Sequence, residues 1–378
     1  MTSVVFAMEW IPQYRVAFYD RLRSELDRRG IEMRLVHGDP PASRRRRRDD
    51  RSLPWAETVP NRFWTVAGRE LTVQPVLRRL RRADLVVVQQ EAGLALNYWL
   101  LLRSRFGGAP VALWGHGHNF NPREAAAPAE WLKRRFTPLA HWIFAYTERS
   151  AAVFQSLGVD GDRITVVQNS RAVASAQPGV AAEPSEPVRD LVAGFEARGA
   201  RVGWMVSALD RWKRVELLVD ILDATRALVE RFEFVVLGGG ADLPTLTEAA
   251  RTRPWLHVPG PTFGTDLAAL GARAEIAIHP GLVGLHVIDA FATATPMIIA
   301  DLDYHSHEVG YLEDGVNAVV LPADASALDF AAAAVALLHD EERLTGLRDG
   351  CRRAAGTYTI DAMVERFADG IVSALAAT

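Results

Sequence analysis

Arg211, Lys213 and Arg214 lie between a β-branched run, Val202–Ser207, and a stretch with helical period, in the order SALDRWKRVELLVDIL. A strand that enters a helix through a cationic loop sets positive side chains beside free backbone N–H groups, and that pairing suits a diphosphate. Lys213 carries extra weight: the chain has only two lysines, the other being Lys133, and otherwise uses arginine. A compact ammonium and a planar guanidinium are different tools. The competing reading is a solvated basic turn.

A second segment, HPGLVGLHVIDAFATATPMIIAD, runs from His279 to Asp301. A strand ends at His279, the turn bares backbone near Gly281 and Gly284, and a helix follows that holds Asp289. Glycines let a ligand approach the backbone closely, and a helix start favours an anion. Asp289 could accept both hydroxyls of a ribose or be an ordinary surface acid. A third segment, LGGGADLPTLTEAA, is again strand, glycine turn and helix, with Gly239 at its centre; alone it is a weak signal.

In the amino half, the stretch Glu9 to Leu26 leaves the first strand and enters a helix near Pro12, which places Tyr14 and Arg15 at the end of a sheet. PVALWGHGHNF presents His116 and His118 just after a strand. Paired histidines could bind a metal, but no nearby cysteine or carboxylate completes a set. Glu91, after another strand, is a ligand-contact candidate or a plain loop acid.

The elements that would hold these residues alternate as in a parallel sheet with crossover helices. Strands are expected near Val4–Met8, Glu32–His37, Leu85–Gln89, Val111–Trp114, Trp142–Tyr146 and Ile164–Gln168. Residues 176–187, AQPGVAAEPSEP, have three prolines and no period, and read as the start of a linker. Strands then resume at Val202–Ser207, Phe234–Leu237, Leu256–Val258, Ile276–Ile278, Met297–Ala300 and Ala318–Leu321. The expected division is 1–175, a linker over 176–198, and 199–378, with the last helix, about 360–377, as a candidate to pack back on the amino-terminal domain. Two such α/β domains facing each other would set a ligand cleft between them.

Length and composition agree. At 378 residues the chain is large for one domain, and its composition is that of a globular protein without an apolar run long enough to span a bilayer. The start shows no secretory pattern, and Cys351 is the sole cysteine, so a reducing, cytoplasmic setting is expected. Residues 1–170 hold 26 basic and 17 acidic side chains, leaving 17 and 29 for the remainder. A basic front half could steer toward an anionic acceptor or membrane surface, although Arg44 to Arg48 also read as a solvated loop.

Taken in order, the three carboxyl-half segments resemble the retaining glycosyltransferase family 4, also described as glycosyl transferases group 1. That pattern runs from a Gly-Arg-Leu…Lys-Gly loop through a Gly-x-Gly turn to Glu-x7-Glu and Ala-Met-Ala-x-Gly-x-Pro. Here the first part reads Ser207-Ala208-Leu209…Lys213-Arg214 and the last reads Gly281…Asp289-Ala290-Phe291-Ala292-Thr293-Ala294-Thr295-Pro296. The resemblance implies the GT-B fold, two Rossmann-like doubly wound domains, and a retaining transfer of sugar from a UDP-, GDP- or dTDP-linked donor to a sugar-containing or small-molecule acceptor. It implies no separate cofactor, no resident metal and no nucleic-acid partner.

By the same resemblance Lys213, Arg211, Arg214, Gly284 and Leu285 would hold the donor diphosphate, and Asp289 and Gly239 the nucleoside. Gly281, Leu282, Val283 and His286 would border the donor sugar. His116 would act with Lys213 in catalysis, and Tyr14, Arg15, Glu91 and His118 would face the acceptor. The sequence departs from the family at two places. Ala208 stands where a phosphate-binding arginine is usual, so Arg211 or Arg214 takes over that charge, and Gly281 stands at the first Glu of the pair. The Pro-x-Tyr-Arg opening matches a branch with Pro-Gly-x-x-Gly-Leu at this turn. The alternatives are an inverting transferase or sugar-nucleotide epimerase of the same fold, and a non-catalytic sugar-binding or partner-binding protein.

Overall fold

A computed structural model describes residues 1–40, 53–66, 69–117, 127–173 and 183–377. His118, Arg44 to Arg48 and the first part of the expected linker, 176–182, lie outside the described residues. The chain divides into two compact units, one of Met1–Arg171 with Thr359–Thr378 and the other of Ala172–Tyr358.

In the first unit, strands β1 (Thr2–Met8), β2 (Ile31–His37) and β3 (Glu57–Thr58) are followed by an antiparallel hairpin, β4 (Arg62–Val66) and β5 (Arg69–Val73). Then come β6 (Leu85–Gln89), β7 (Val111–Gly115), β8 (Trp142–Ala145) and β9 (Ile164–Val166). Apart from the hairpin they form one parallel sheet, ordered β3-β2-β1-β6-β7-β8-β9, so the winding reverses between β1 and β6. Helices cover such sheets on both faces, which is why Val4 to Met8 are buried without alternation. The short β3 and the hairpin were not expected, because β3 has two residues and the hairpin strands five each, with polar residues mixed into short apolar runs.

The helix Ile360–Ala376 belongs to this unit. Phe367 stacks on Phe144 with ring centroids 4.0 Å apart and meets Phe18 and Trp114 at 5.4 and 5.1 Å. Arg21 on the helix Val16–Arg28 and Arg29, which caps its carboxyl end, pair with Asp361 and Asp369 of the last helix. Those exposed ion pairs contribute little, of order 0.2–1 kcal/mol each, against about 1.5–3 kcal/mol for burying one large apolar side chain. The ring cluster therefore anchors the helix. Gly370 allows the close approach, since a Cβ there would lie 2.5 Å from the Thr165 hydroxyl.

The second unit holds β10 (Arg201–Val206), β11 (Phe232–Leu237), β12 (Leu256–Gly260), β13 (Ile276–His279), β14 (Met297–Ala300) and β15 (Ala318–Leu321). They pair in parallel in the order β12-β11-β10-β13-β14-β15, with the reversal between β10 and β13. Residues alternate between two cores: Met205, Ile276 and Ile278 enter one, Trp204 and Ala277 the other.

The expected linker needs correction. Residues 186–198 form a helix, Glu186–Arg198, with Val188 and Phe195 buried. Its Pro187 is in the first turn, where a missing N–H costs nothing, and Gly199 closes it in the left-handed region at φ 57°. Pro187 counted toward the linker reading, whereas it starts a helix.

Replacing Phe367 with alanine is expected to cost about 3–5 kcal/mol, the usual range for a buried aromatic. A urea midpoint indistinguishable from the parent's would count against the ring cluster as the anchor.

Candidate functional site

The loops after β10 and β13 meet at the reversal point of the second sheet, the position where open α/β sheets hold ligands. Asp210 caps a short turn, Arg211–Lys213, by accepting from the Trp212 N–H at 3.1 Å. The loop after β13 is laid against this turn: the Leu282 N–H donates to the Trp212 carbonyl at 2.8 Å. At Gly281 a Cβ would fall 2.2 Å from that same carbonyl oxygen and 2.7 Å from the Lys213 Cα. Glycine at 281 is thus a packing requirement, and the family's Glu could not stand there without parting the two loops.

Lys213 is buried at 6% exposure, and its Nζ donates to the Leu282 carbonyl at 2.7 Å. That burial excludes the solvated-turn reading for Lys213. Arg214, in the left-handed region at φ 53°, donates from Nη1 to the Pro280 carbonyl at 3.4 Å. Such a backbone costs a non-glycine residue about 1–2 kcal/mol. Arg211 is exposed, its guanidinium 4.8 Å from the Trp212 ring, which in turn meets Tyr304 at 5.5 Å. Burial raises the Tyr304 pKa, with Arg214 opposing and Asp303 assisting.

Three histidines that spacing did not single out as a set brace the loop. His305 accepts from the Val283 N–H at 3.0 Å through Nδ1 and donates from Nε2 to the Ala300 carbonyl at 2.7 Å. Both ring nitrogens are thereby assigned, and the turn is tied to the end of β14. The His279 Nε2 lies 2.6 Å from the His286 Nδ1, which also receives the Val206 N–H at 3.4 Å. His286 Nδ1 is then the acceptor, and His279 carries its proton on Nε2. Burial first, then His286, Lys213 and His305, hold the His279 pKa well below its ordinary 6.5.

Gly238 and Gly240 crowd the carbonyls of Ser207 and Leu209, where Cβ atoms would come within 1.8 and 2.0 Å. Gly239 accepts from the Leu209 N–H at 2.9 Å, so the glycine turn fixes the start of the Lys213 loop. Gly284 and Leu285 lead into the helix His286–Ala292. At seven residues this helix is short, so the favourable anion field expected from its start is small. Asp289 is not the exposed carboxylate that a surface reading requires: it is 4% exposed, in the first turn of that helix.

In the first unit, β1, β7 and β8 bring Tyr14, Arg15, His116 and Tyr146 together at the carboxyl end of their sheet. His116 meets Tyr146 edge-on at 4.1 Å, and Arg15 lies 5.6 Å from the same ring and 5.1 Å from that of Tyr14. Tyr14 is partly exposed, but Arg15 is buried, donating to the Asn169 Oδ1 at 2.6 Å and lying over Trp114 at 4.7 Å. Its guanidinium braces the unit and is not held out as a surface cation. Glu91 is exposed on the loop after β6. Sequence reasoning missed Gln90, which accepts from the Gly117 N–H at 2.8 Å and donates to Thr137 at 2.9 Å, fixing the His116 loop. A glutamine beside a charged candidate gives no spacing signal.

The depressed His279 pKa fixes a sign. Unfolded, His279 gains a proton near pH 6.5; folded, it stays neutral until well below that. Its contribution is therefore present above about 6.5 and lost as pH falls, with a slope of up to about 1.4 kcal/mol per pH unit. His279→Gln should flatten the acid side of a stability–pH curve, and an unchanged acid limb would contradict the assignment.

The model described as Glycosyl transferases group 1 matches residues 200–340, and that described as Glycosyltransferase Family 4 matches residues 17–171. No curated protein sequence matches the chain. The chain is similar to the solved structure of Anabaena Alr3699/HepE in complex with UDP, with TM-score 0.73 and 13% identity over 99% of this chain and 100% of that one. WaaG, a glycosyltransferase involved in lipopolysaccharide biosynthesis, gives 0.65 and 16% over 97% and 98%. A putative UDP-N-acetylglucosamine 2-epimerase from Listeria monocytogenes gives 0.64 and 15% over 99% and 96%. At these identities the structural likeness carries the fold alone. The two family models fall in order on the two parallel-sheet units and together span most of the sequence; the chain is a glycosyltransferase of the GT-B fold.

Proposed function

We propose that the second unit binds a nucleotide-sugar donor at the reversal point of its sheet and that the sugar is transferred with retained anomeric configuration. The observation that carries this reading is the buried Lys213 ammonium, seated where the loops after β10 and β13 meet. A fixed cation there meets charge where it develops on a departing diphosphate. Arg211 and Arg214 supply further positive charge, so the reading calls for no divalent ion. The complexes of HepE with UDP and UDP-glucose make uridine donors the first to test.

The proposed step is a front-face displacement. The bond from the anomeric carbon to the phosphate oxygen breaks, its electron pair staying on the diphosphate. The acceptor hydroxyl forms the new bond on the same face and gives its proton to the leaving phosphate. Tyr14, His116 and Glu91 are assigned to the acceptor side, a sugar-containing or small molecule. Arg15, being buried, supports Tyr14 and Tyr146 from beneath. Asp289 is assigned to the ribose, and His286 with the backbone of Gly281 to Leu285 to the donor sugar and diphosphate. An epimerase is the second reading, favoured by the fold shared with the Listeria protein. A donor incubated without acceptor separates them, since only an epimerase returns an isomeric sugar nucleotide.

Lys213→Ala should lower turnover by about 100- to 1000-fold, some 3–4 kcal/mol, and weaken donor binding less, because the neutralised charge is greatest in the transition state. Lys213→Arg should rescue in part. A purely structural clip between the loops predicts instead a lowered melting temperature with turnover per folded molecule within about threefold of the parent, under roughly 0.7 kcal/mol.

Asp289→Asn keeps the buried shape and removes the charge. Nucleotide titration should show about 10- to 100-fold weaker binding, the worth of one charge-assisted hydrogen bond at about 1.5–3 kcal/mol. Undiminished affinity for every nucleotide bound by the parent would remove Asp289 from the site.

A further inference from the structure

We propose that the helix Ala95–Ser104 and the turn after it form a docking surface for an anionic lipid bilayer. This helix is apolar on both sides. Asn97, Leu100 and Leu101 are buried in the unit. On the opposite side Trp99, Leu102 and Phe106, spaced i, i+3 and i+7, are 44%, 47% and 87% exposed. A surface helix of a globular protein normally turns a polar face outward. Here water is left against large apolar groups, and the pattern is that of a helix whose outer face enters an interface.

Charge decides what that interface is. Arg103 and Arg105 alternate with the apolar residues and are exposed. The Arg103 guanidinium lies 5.3 Å from the Trp99 ring, which keeps its stem on the apolar face while the head stays available. Arg103 also lines a cavity with Arg81, Asp84 and Gly107–Gly108; one oxygen of Asp84 accepts from the Ser3 N–H at 2.8 Å, and the two guanidinium groups leave the cavity net positive toward a lipid phosphate. No acidic residue occurs between Glu91 and Glu124.

The neighbouring helix Ala127–Phe136, joined to this one by the Tyr98–Phe136 ring contact at 5.0 Å, repeats the composition with Trp131 60% exposed and Arg134 and Arg135 exposed. A second copy of the chain seated symmetrically on this face would set arginine against arginine. An anionic lipid surface offers apolar depth and the complementary charge together. The surface is separate from the proposed donor site and does not depend on that reading.

Sedimentation with vesicles tests it, using phosphatidylcholine alone and phosphatidylcholine mixed with phosphatidylglycerol. The protein is expected to pellet with the anionic vesicles and to be released by added salt. Arg103→Ser with Arg105→Ser should reduce partitioning about thirtyfold, from about fivefold per arginine at about 1 kcal/mol each. Phe106→Ser should also lower it, with melting temperature and nucleotide binding unchanged for both variants. Absence of pelleting, or equal pelleting with neutral vesicles, overturns the proposal. So does a parent that is dimeric by light scattering and that Phe106→Ser converts to a monomer, which would give the face to a second copy.

Discussion

The second unit depends on one steric constraint: the backbone of Trp212 and Lys213 lies against Gly281 with no room for a side chain between them. From that contact follow the hydrogen bond from Leu282 to the Trp212 carbonyl, the burial of Lys213 and the seat of its ammonium on the Leu282 carbonyl. His305 then holds the far side of the same turn to β14, and the glycine turn after β11 holds the near side of the Lys213 loop. A cation buried in this way has lost much of its hydration, so a nearby anion feels it more strongly than it would feel a surface lysine.

This explains a departure from the family pattern that sequence alone left open. Glycine at 281 lets the two loops touch backbone to backbone, where any side chain would part them. The shape of the turn is a matter of loop geometry, and the residues that maintain the geometry matter as much as those that would touch a ligand.

Parallel strands were legible because each is a short β-branched run buried on both faces, as at Leu85–Gln89 and Met297–Ala300, found at the bounds expected. The loop cations and glycines were legible from their place after strands. What was not legible depended on the third dimension. Asp289 reads equally as surface or interior, since helical period places it but does not say what covers it. Arg15 looked like an outward-facing cation, yet aromatic rings from β7 and from the loop after β8 enclose it. His305 and Gln90 act by bridging two nearby groups through hydrogen bonds, a role that several polar residues can fill and that leaves no spacing to detect. Pro187 was misread because proline marks the starts of helices as well as the segments between them.

The return of the last helix to the first unit has a consequence for how the chain is made. The ribosome delivers residues in order, and domains usually fold in that order as they emerge. Here Phe367, which completes the aromatic cluster around Phe18, Trp114 and Phe144, appears only after all of Ala172–Tyr358 has been synthesised. The unit that begins the protein is therefore the last to be finished, and its sheet carries an uncovered apolar face throughout the synthesis of the other.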